Sequence, residues 1–255
     1  MNKKHLVVGN WKMNPTSIEE ARAVVAMSKK AAKNLKRTEV VICPPFAFLH
    51  LVKVDNKKIF AGVQNVFNQP AGSFTGEISP QMVRSLGGKY VIIGHSERRA
   101  MGETDELVSQ KIIAALNAGL RPIVCIGEKT RNQSGEYLQF LRNQLSICLS
   151  LLKKKHFSEI IIAYEPVFAI GKSFAEAMQA REILETVLYI KKVLNDIFGK
   201  ESASCACILY GGSVNWENAK AIIETGGVNG LLVGRESLNV ETFPKLLTSV
   251  DAVSL

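Results

Sequence analysis

The chain has 255 residues, 47% of them hydrophobic and 22% charged, and this balance excludes an intrinsically disordered or fibrous protein. No apolar run approaches the roughly 18 residues of a membrane span, and the N-terminal apolar stretch is too short for a secretory signal, so we expect a cytoplasmic protein that does not contact a membrane. The formal net charge of +9 invites a nucleic-acid partner. The lysines, however, are scattered through predicted helices without interleaved aromatic residues, which favours a solvated surface and no nucleic acid.

The five cysteines lie in or beside apolar segments: Cys43, Cys125, Cys148, Cys205 and Cys207. Their number is odd, and no pairing of cysteine with histidine has the spacing of a zinc site, so we expect no metal. Cys205 and Cys207 are two residues apart and would share one face of a strand. We therefore interpret this pair as reduced core residues, in keeping with a reducing compartment.

Along the chain, short apolar runs alternate with longer segments of helical period. The runs are rich in Val, Ile and Leu and nearly continuous, which is typical of parallel strands covered on both faces. They predict eight strands: 5–10, 39–44, 59–64, 90–95, 122–127, 159–165, 205–212 and 230–234. Eight strand–helix units in about 250 residues match an α/β fold of the (β/α)8 barrel type, although a doubly wound sheet would give a similar periodicity. No linker or low-complexity segment interrupts the chain, so we expect one domain over residues 1–255.

Three of the intervening segments show clear helix signals. Ser17 with Glu20 three residues later is typical of a capping box and predicts a helix over 17–36. Two further helices are predicted over 105–119 and 175–199. Helices of this length are needed to cover the outer face of a parallel sheet or barrel.

The residues that follow the apolar runs are polar. In a (β/α)8 barrel all strand C-termini meet on one face, and active sites lie there. The residues at these positions are Asn10 and Lys12 after the first strand, Gln64 and Asn65 after the third, His95 after the fourth, Glu128 after the fifth, Glu165 after the sixth, Gly211, Gly212 and Ser213 after the seventh, and Gly234 and Arg235 after the eighth. We therefore expect a polar site at this end of the barrel.

Glu165 stands out because it ends a run typical of a buried strand and is followed by Pro166. The residue before a proline is pushed towards extended geometry, so Pro166 helps to hold Glu165 at the strand end. The same proline can serve as one hinge of a moving loop. On its own, such a glutamate is equally compatible with a salt bridge at the barrel rim.

Seven segments carry recognisable motifs in a fixed order: GNWKMN (9–14), GSFTGEIS (72–79), YVIIGHSERR (90–99), CIGE (125–128), AYEPVFAIG (163–171), YGGSV (210–214) and LLVGR (231–235). In order and spacing they resemble the signatures of the triosephosphate isomerase family. CIGE alone would be a weak signal, whereas GNWKMN, GHSERR and YEPV together are specific. The resemblance covers most of the chain and implies a TIM barrel in place of a doubly wound sheet.

The resemblance implies interconversion of dihydroxyacetone phosphate and glyceraldehyde 3-phosphate by proton transfer through an enediolate, with no cofactor. On this chain it implies that Glu165 is the base and that a neutral His95 is the electrophile for the carbonyl. A short helix that starts with Ser96 near its cap would disfavour the imidazolium form of His95, because its N-terminus carries partial positive charge.

Three further residues complete the catalytic set that the resemblance implies. Lys12 supplies fixed positive charge for the phosphate and the enediolate oxygen, and Asn10 hydrogen-bonds in the same region. Glu97 pairs with Lys12 or assists proton transfer. The alternative for Glu97 is a surface pair with one of the two arginines that follow it.

The phosphate is expected after strands seven and eight, the usual location for this group in a barrel. Backbone N–H groups of Gly211, Gly212, Ser213, Gly234 and Arg235 would converge there, because glycine lets the backbone approach closely. By resemblance, Gly171 adds a further N–H from the lid when it closes. The expected substrate-binding residues are therefore Asn10, Lys12, Gly171, Ser213, Gly234 and Arg235.

The lid departs from the family pattern. The family has tryptophan where this chain has Phe168 and a Thr-Gly pair where it has Lys172 and Ser173, and the lid is one residue shorter. Phenylalanine cannot donate an indole hydrogen bond to a carboxylate such as Glu128. Because water is then less well excluded, we expect more loss of the enediolate to methylglyoxal than in Phe168→Trp, and equal ratios of elimination to isomerisation would contradict this.

Two further departures follow the eighth strand: Arg235 for a glycine and Glu236 for a small residue.

The segment 68–79 resembles the interlocking loop of the family, in which Thr75 reaches the active site of the partner subunit. The resemblance therefore implies an isologous homodimer. A plain surface loop is the alternative, since the segment is rich in turn-forming residues.

Two other classes of function stay open from the residues alone. One is another phosphate-binding barrel enzyme, such as an aldolase with Lys12 as a Schiff-base nucleophile. The other is a non-catalytic binder of sugar phosphates or nucleic acid that uses the net charge of +9. The joint presence of Asn10, Lys12, His95 and Glu165 argues against the second.

Overall fold

The computed structural model describes residues 4–52, 58–132, 134–169 and 178–254. Eight parallel strands form a closed barrel in chain order, and they confirm the predicted (β/α)8 fold. The strands are β1 His5–Asn10, β2 Thr38–Cys43, β3 Ile59–Val63, β4 Tyr90–Ile93, β5 Arg121–Ile126, β6 Ile161–Tyr164, β7 Ile208–Tyr210 and β8 Gly230–Val233.

The barrel closes because β1 pairs with both β2 and β8. Val7 lies opposite Val40 on one side and Leu231 on the other. At the start of β8, a Cβ added to Gly230 would lie 1.9 Å from the carbonyl oxygen of Leu6, so glycine is needed for this approach. A doubly wound sheet has two open edges, and the pairing of β1 with β8 excludes that alternative.

Helices between the strands form the outer layer of the barrel. Ser17 caps the first helix, since its Oγ accepts a hydrogen bond from the N–H of Glu20 at 3.2 Å. The helices are α1 Ile18–Ala32, α2 Pro80–Ser85, α3 Ser96–Ala100, α4 Asp105–Asn117, α5 Glu136–Cys148, α6 Ala180–Phe198, α7 Lys200–Cys205, α8 Ala219–Thr225 and α9 Phe243–Asp251, and short 3-10 turns cover Phe46–Leu51, Lys154–Glu159, Val167–Ala169 and Arg235–Leu238.

The strands are buried on both faces, as their continuous apolar runs predict. Alternate residues such as Leu6, Val8, Ile161 and Ala163 pack inside the barrel, and their neighbours pack outwards against the helices. The inward series of β1 continues from Leu6 and Val8 to residue 10, and that of β6 continues from residues 161 and 163 to residue 165. Strand parity therefore directs Asn10 and Glu165 towards the barrel axis.

Two sequence predictions need correction at element boundaries. Cys205 ends helix α7 and is exposed, and β7 begins only at Ile208, so Cys205 and Cys207 do not share a strand face. The small residues around Cys205 are compatible with either a strand or a helix, and the chain is helical there. The long third helix begins at Ala180, after Met178 and Gln179, and the predicted start at 175 lies outside the described residues.

Within the described ranges, none of the helices combines the length and the apolar character that a membrane crossing needs.

Candidate active site

Most of the polar residues that follow the strands meet around one cavity of about 760 Å³ at the carboxyl end of the barrel, but Gln64, Asn65 and Glu128 do not line it. The structure brings together all five predicted catalytic residues and most of the predicted phosphate-binding residues on its wall. Its lining includes Asn10, Lys12, His95, Glu97, Glu165, Gly211, Gly212, Ser213, Gly234 and Arg235. Gly171, the remaining predicted contact, lies outside the described residues, as do Lys172 and Ser173.

Glu165 is buried and contacts His95 directly. Its Oε1 lies 3.1 Å from His95 Nε2, and its Oε2 accepts a hydrogen bond from the N–H of Ser96 at 3.4 Å. Two glycines make room for it: a Cβ added to Gly211 would lie 2.8 Å from Glu165 Cγ, and one added to Gly127 would lie 1.8 Å from its carbonyl oxygen. The carboxylate is thus held at the strand end by neutral donors and faces the cavity.

The short helix α3 begins at Ser96, as predicted, and His95 is itself its cap. Its Nδ1 accepts a hydrogen bond from the N–H of Glu97 at 3.2 Å. Nδ1 therefore carries no proton, and Nε2 is the donor that points at Glu165. The helix N-terminus selects the tautomer that has an N–H directed into the cavity.

Two opposite influences set the pKa of His95. Burial, and to a smaller extent the ammonium of Lys12, lower it, whereas the carboxylate of Glu165 at 3.1 Å and, to a smaller extent, that of Glu97 raise it, and the net direction is upward. The hydrogen bond at Nδ1 opposes protonation, because a second proton would have to displace the N–H of Glu97. Once Glu165 turns away or takes up a proton, the largest influence that raises the pKa of His95 is lost and the neutral ring is favoured.

Lys12 is placed at the cavity by a constrained backbone. It has a left-handed φ of 55° and its N–H donates to Asn10 Oδ1 at 3.1 Å. Gln64 donates to the carbonyl oxygens of Lys12 and Cys43 at 2.8 and 3.0 Å. The sequence placed Gln64 at this end of the barrel without a role, because the hydrogen bonds of a side chain to a distant backbone carbonyl leave no local signal.

The ammonium of Lys12 forms an ion pair with Glu97. Nζ lies 2.6 Å from Glu97 Oε1, and both side chains are partly exposed. This confirms the pairing with Lys12 among the alternatives for Glu97. The pair puts a positive charge at the cavity, next to the imidazole of His95.

The other side of the cavity is lined mainly by backbone turns. Gly211, Gly212 and Ser213 follow β7, while Gly234 leads into the 3-10 turn that starts at Arg235. A Cβ on Gly212 would lie 2.2 Å from the hydroxyl of Tyr210, so the turn requires glycine. Backbone N–H groups from two adjacent strand ends suit a phosphate or another oxyanion.

Chemically, the arrangement supplies a carboxylate base, a neutral imidazole donor and a nearby cation on one wall, with an oxyanion-binding turn on the other. This set can remove a proton from carbon next to a carbonyl and hold the resulting negative charge.

Comparison with known proteins identifies the family of the chain. A family model described as triosephosphate isomerase matches residues 5–250. The chain belongs to the triosephosphate isomerase family. A triosephosphate isomerase of Dehalococcoides mccartyi is 47% identical over 242 residues, which cover 93% of each chain. Those of Aquifex aeolicus and Thermoanaerobacter pseudethanolicus are 38% and 37% identical, over 96% of this chain and 99% of each relative.

Membership of the triosephosphate isomerase family confirms the resemblance that the seven motifs indicated, and the closed barrel agrees with it. Roles of individual residues rest on the geometry above.

Proposed function

We propose that the protein is a triosephosphate isomerase that interconverts dihydroxyacetone phosphate and glyceraldehyde 3-phosphate, a step shared by glycolysis and gluconeogenesis. Family membership supports the activity, as do relatives at 37–47% identity that carry this name. The observation that carries the residue roles is the contact of Glu165 with His95 at 3.1 Å on the cavity wall.

In the proposed reaction, Glu165 removes a proton from the carbon next to the substrate carbonyl, and the bonding electrons move onto the carbonyl oxygen to give an enediolate. His95 donates its Nε2–H to that oxygen. After the hydroxyl proton moves between the two oxygens, Glu165 returns the proton to the neighbouring carbon. The substrate would separate Glu165 from His95, which frees both for these contacts.

Lys12 and Asn10 complete the electrostatic part of the site in this proposal. The ammonium of Lys12 stabilises the enediolate and the phosphate, and Asn10 donates its amide N–H to the same region while its Oδ1 holds the backbone of Lys12. Glu97 fixes the ammonium through the ion pair at 2.6 Å.

The phosphate group is proposed to bind the N–H groups of Ser213, Gly234 and Arg235, with Gly171 added by the lid. Ser213 is positioned for this by its Oγ, which donates to the carbonyl oxygen of Ala169 at 2.8 Å. That bond also joins the phosphate side to the turn that follows Glu165.

A coupled assay of isomerisation with the purified protein tests the function, with either triose phosphate as substrate. Reduction with borohydride in the presence of substrate separates it from a Schiff-base aldolase that uses Lys12, because only the aldolase would be trapped. Nζ of Lys12 is engaged by Glu97 at 2.6 Å, which disfavours its use as a nucleophile. Oligonucleotide binding that falls steeply with salt, without isomerisation, would favour a nucleic-acid binder.

We also propose a homodimer through loop 68–79, with Thr75 reaching the partner. Exposed apolar side chains in the segments that follow β1, β3 and β4 support it: Met13, Phe74, Met82, Leu86 and Met101. Light scattering should give twice 28.0 kDa. Met101→Asp should lower that mass, and Leu151→Asp, an exposed apolar site elsewhere, should not.

We also propose that the enzyme is cytoplasmic. Residues 1–255 are proposed to form one barrel domain. The glycolytic role and the free thiols of all five cysteines support that location. Cell fractionation followed by the isomerase assay tests it.

A further inference from the structure

Arg131, in the loop between β5 and α5, bridges the ends of two neighbouring strands. Its Nε lies 3.3 Å from Glu128 Oε1, in the loop after β5. Its guanidinium carbon lies 5.9 Å from the centre of the Phe168 ring, in the turn after β6. The guanidinium of Arg131 thus contacts both the loop after β5 and the turn after β6, the turn that follows Glu165.

The helices behind the loop hold Arg131 in place. Its Nη2 donates to Thr186 Oγ1 of α6 at 2.5 Å, and the ring of Tyr137 of α5 lies 4.3 Å from its guanidinium carbon. Only 20% of the side chain is exposed. The position of this charge is therefore set by the scaffold of the barrel.

Glu128 depends on this cation. The residue is 1% exposed, its Oε1 accepts a hydrogen bond from the hydroxyl of Tyr164 at 2.9 Å, and its Oε2 has no hydrogen-bond partner among the described residues. Burial raises the pKa of Glu128, and Tyr164 and Arg131 oppose that rise. Without Arg131, the buried carboxylate would keep only neutral partners, the hydroxyl of Tyr164 and its own backbone N–H.

The same segments are joined to the base at the backbone. The N–H of Glu165 donates to the carbonyl oxygen of Ile126 at 2.7 Å, and that of Val167 donates to the carbonyl oxygen of Glu128 at 2.9 Å. Phe168 follows Val167 directly. The two backbone bonds fix residues 165 and 167, while Arg131 acts on the side chains of Glu128 and Phe168.

We propose that Arg131 is a positioning residue for the isomerisation, and this rests on the proposed function. The side chain of Phe168 has no N–H that could donate to Glu128. The guanidinium of Arg131 connects the two instead, because it attracts both the carboxylate and the face of the ring. It thereby keeps the turn Val167–Ala169, which follows Glu165, against the loop after β5. Loss of this contact loosens the turn and admits water to the enediolate.

The test measures how the enediolate divides between two fates. In the side reaction its C–O bond to phosphate breaks, phosphate leaves with the electron pair, and the remaining enol becomes methylglyoxal. We expect Arg131→Met to raise the ratio of methylglyoxal to isomerised product about threefold to tenfold. A ratio does not depend on the amount of folded enzyme, so a merely structural role would not change it.

Matched variants sharpen this test. Arg142→Met removes an arginine of α5 whose partner Asp196 lies on the surface, and should leave the ratio unchanged. Arg131→Lys keeps the charge and should rescue most of the effect. Phe168→Leu should raise the ratio as well, and its combination with Arg131→Met should change it by less than the product of the two single effects. Phe168→Leu also serves if Arg131→Met does not fold.

A second measurement, the pH dependence of stability, reports on the pKa of Glu128. In Arg131→Met its pKa should rise further, so the folded state holds a proton that the unfolded state releases. The loss of stability relative to wild type should then grow as the pH rises above the ordinary carboxyl range, whereas that of Arg142→Met should stay level there, because an exposed aspartate has already ionised.

An unchanged product ratio in both Arg131→Met and Phe168→Leu, with active wild type, would overturn this inference alone. Lack of isomerisation by the wild type would instead overturn the proposed function.

Discussion

Two buried carboxylates, Glu103 and Glu165, show how differently this barrel treats the same group. Glu103 forms an ion pair with the buried ammonium of Lys111, and its Oε2 accepts a hydrogen bond from the N–H of Gly94 at 3.1 Å. Among the described residues, Glu165 contacts the N–H groups of His95 and Ser96 and the thiol of Cys125, and it forms no ion pair with a lysine or an arginine. Both are less than a tenth exposed.

The difference lies in the partner and in what the carboxylate faces. The ammonium of Lys111 and the backbone N–H of Gly94 hold Glu103 away from the cavity, where it contributes to the stability of the fold. Glu165 lies on a cavity wall and is held by donors that a substrate can replace. Burial therefore does not identify the base in this fold, whereas neutral partners at an open cavity do.

The largest expected effect is on catalysis. Glu165→Gln should lower kcat about 10³- to 10⁴-fold, because it removes the proton acceptor and keeps the shape. Stability should hold or rise, since the substitution removes a buried charge. Steady-state kinetics and denaturant unfolding on the same preparation check both. A kcat within tenfold of wild type would break the assignment of Glu165 as base.

The matching substitution at the other carboxylate should act on stability. Glu103→Gln should cost about 3–5 kcal/mol of unfolding free energy, because it leaves the ammonium of Lys111 buried without its counter-charge. The kcat per folded molecule should change little. Addition of Lys111→Met to this variant should restore stability, and urea unfolding of the single and double variants measures it. A stable single variant would contradict the contrast.

His95→Gln should lower kcat about 10²- to 10³-fold, because the donor to the developing oxyanion is displaced. The KM should change less than kcat, since the contact strengthens mainly in the transition state. Kinetics in both directions of the reaction provide the check. A change confined to KM would mean that His95 only binds substrate.

The smallest effect concerns the pKa of His95. The carboxylate of Glu165 raises it, so Glu165→Gln should lower it, while Glu103→Gln should leave it near its wild-type position. NMR titration of the imidazole measures the shift. An upward shift in Glu165→Gln would refute the proposed coupling between the two side chains.

The sequence predicted the strands and the residues at their ends because both leave local signals. Continuous apolar runs mark strands buried on both faces, and strand parity carries Asn10 and Glu165 to the barrel axis. The motifs then supplied the catalytic roles of His95 and Lys12.

What the sequence did not predict depends on distant contacts or on small energy differences. The pair of Glu103 with Lys111 and the bridge made by Arg131 join side chains from different elements, which no local period reveals. The tautomer of His95 depends on a cap bond to Glu97 that only the geometry of α3 shows. At Cys205 a strand was predicted and a helix end is found, because the small residues there are compatible with either.

The most direct test of the central claim is isomerisation in deuterium oxide. If Glu165 carries the proton between two carbons, part of the product should hold one deuterium on the carbon next to the carbonyl, because the carboxyl proton exchanges with solvent. Glu165→Gln should show almost no incorporation. Rapid isomerisation with no deuterium in the product, or full incorporation in Glu165→Gln, would contradict the account.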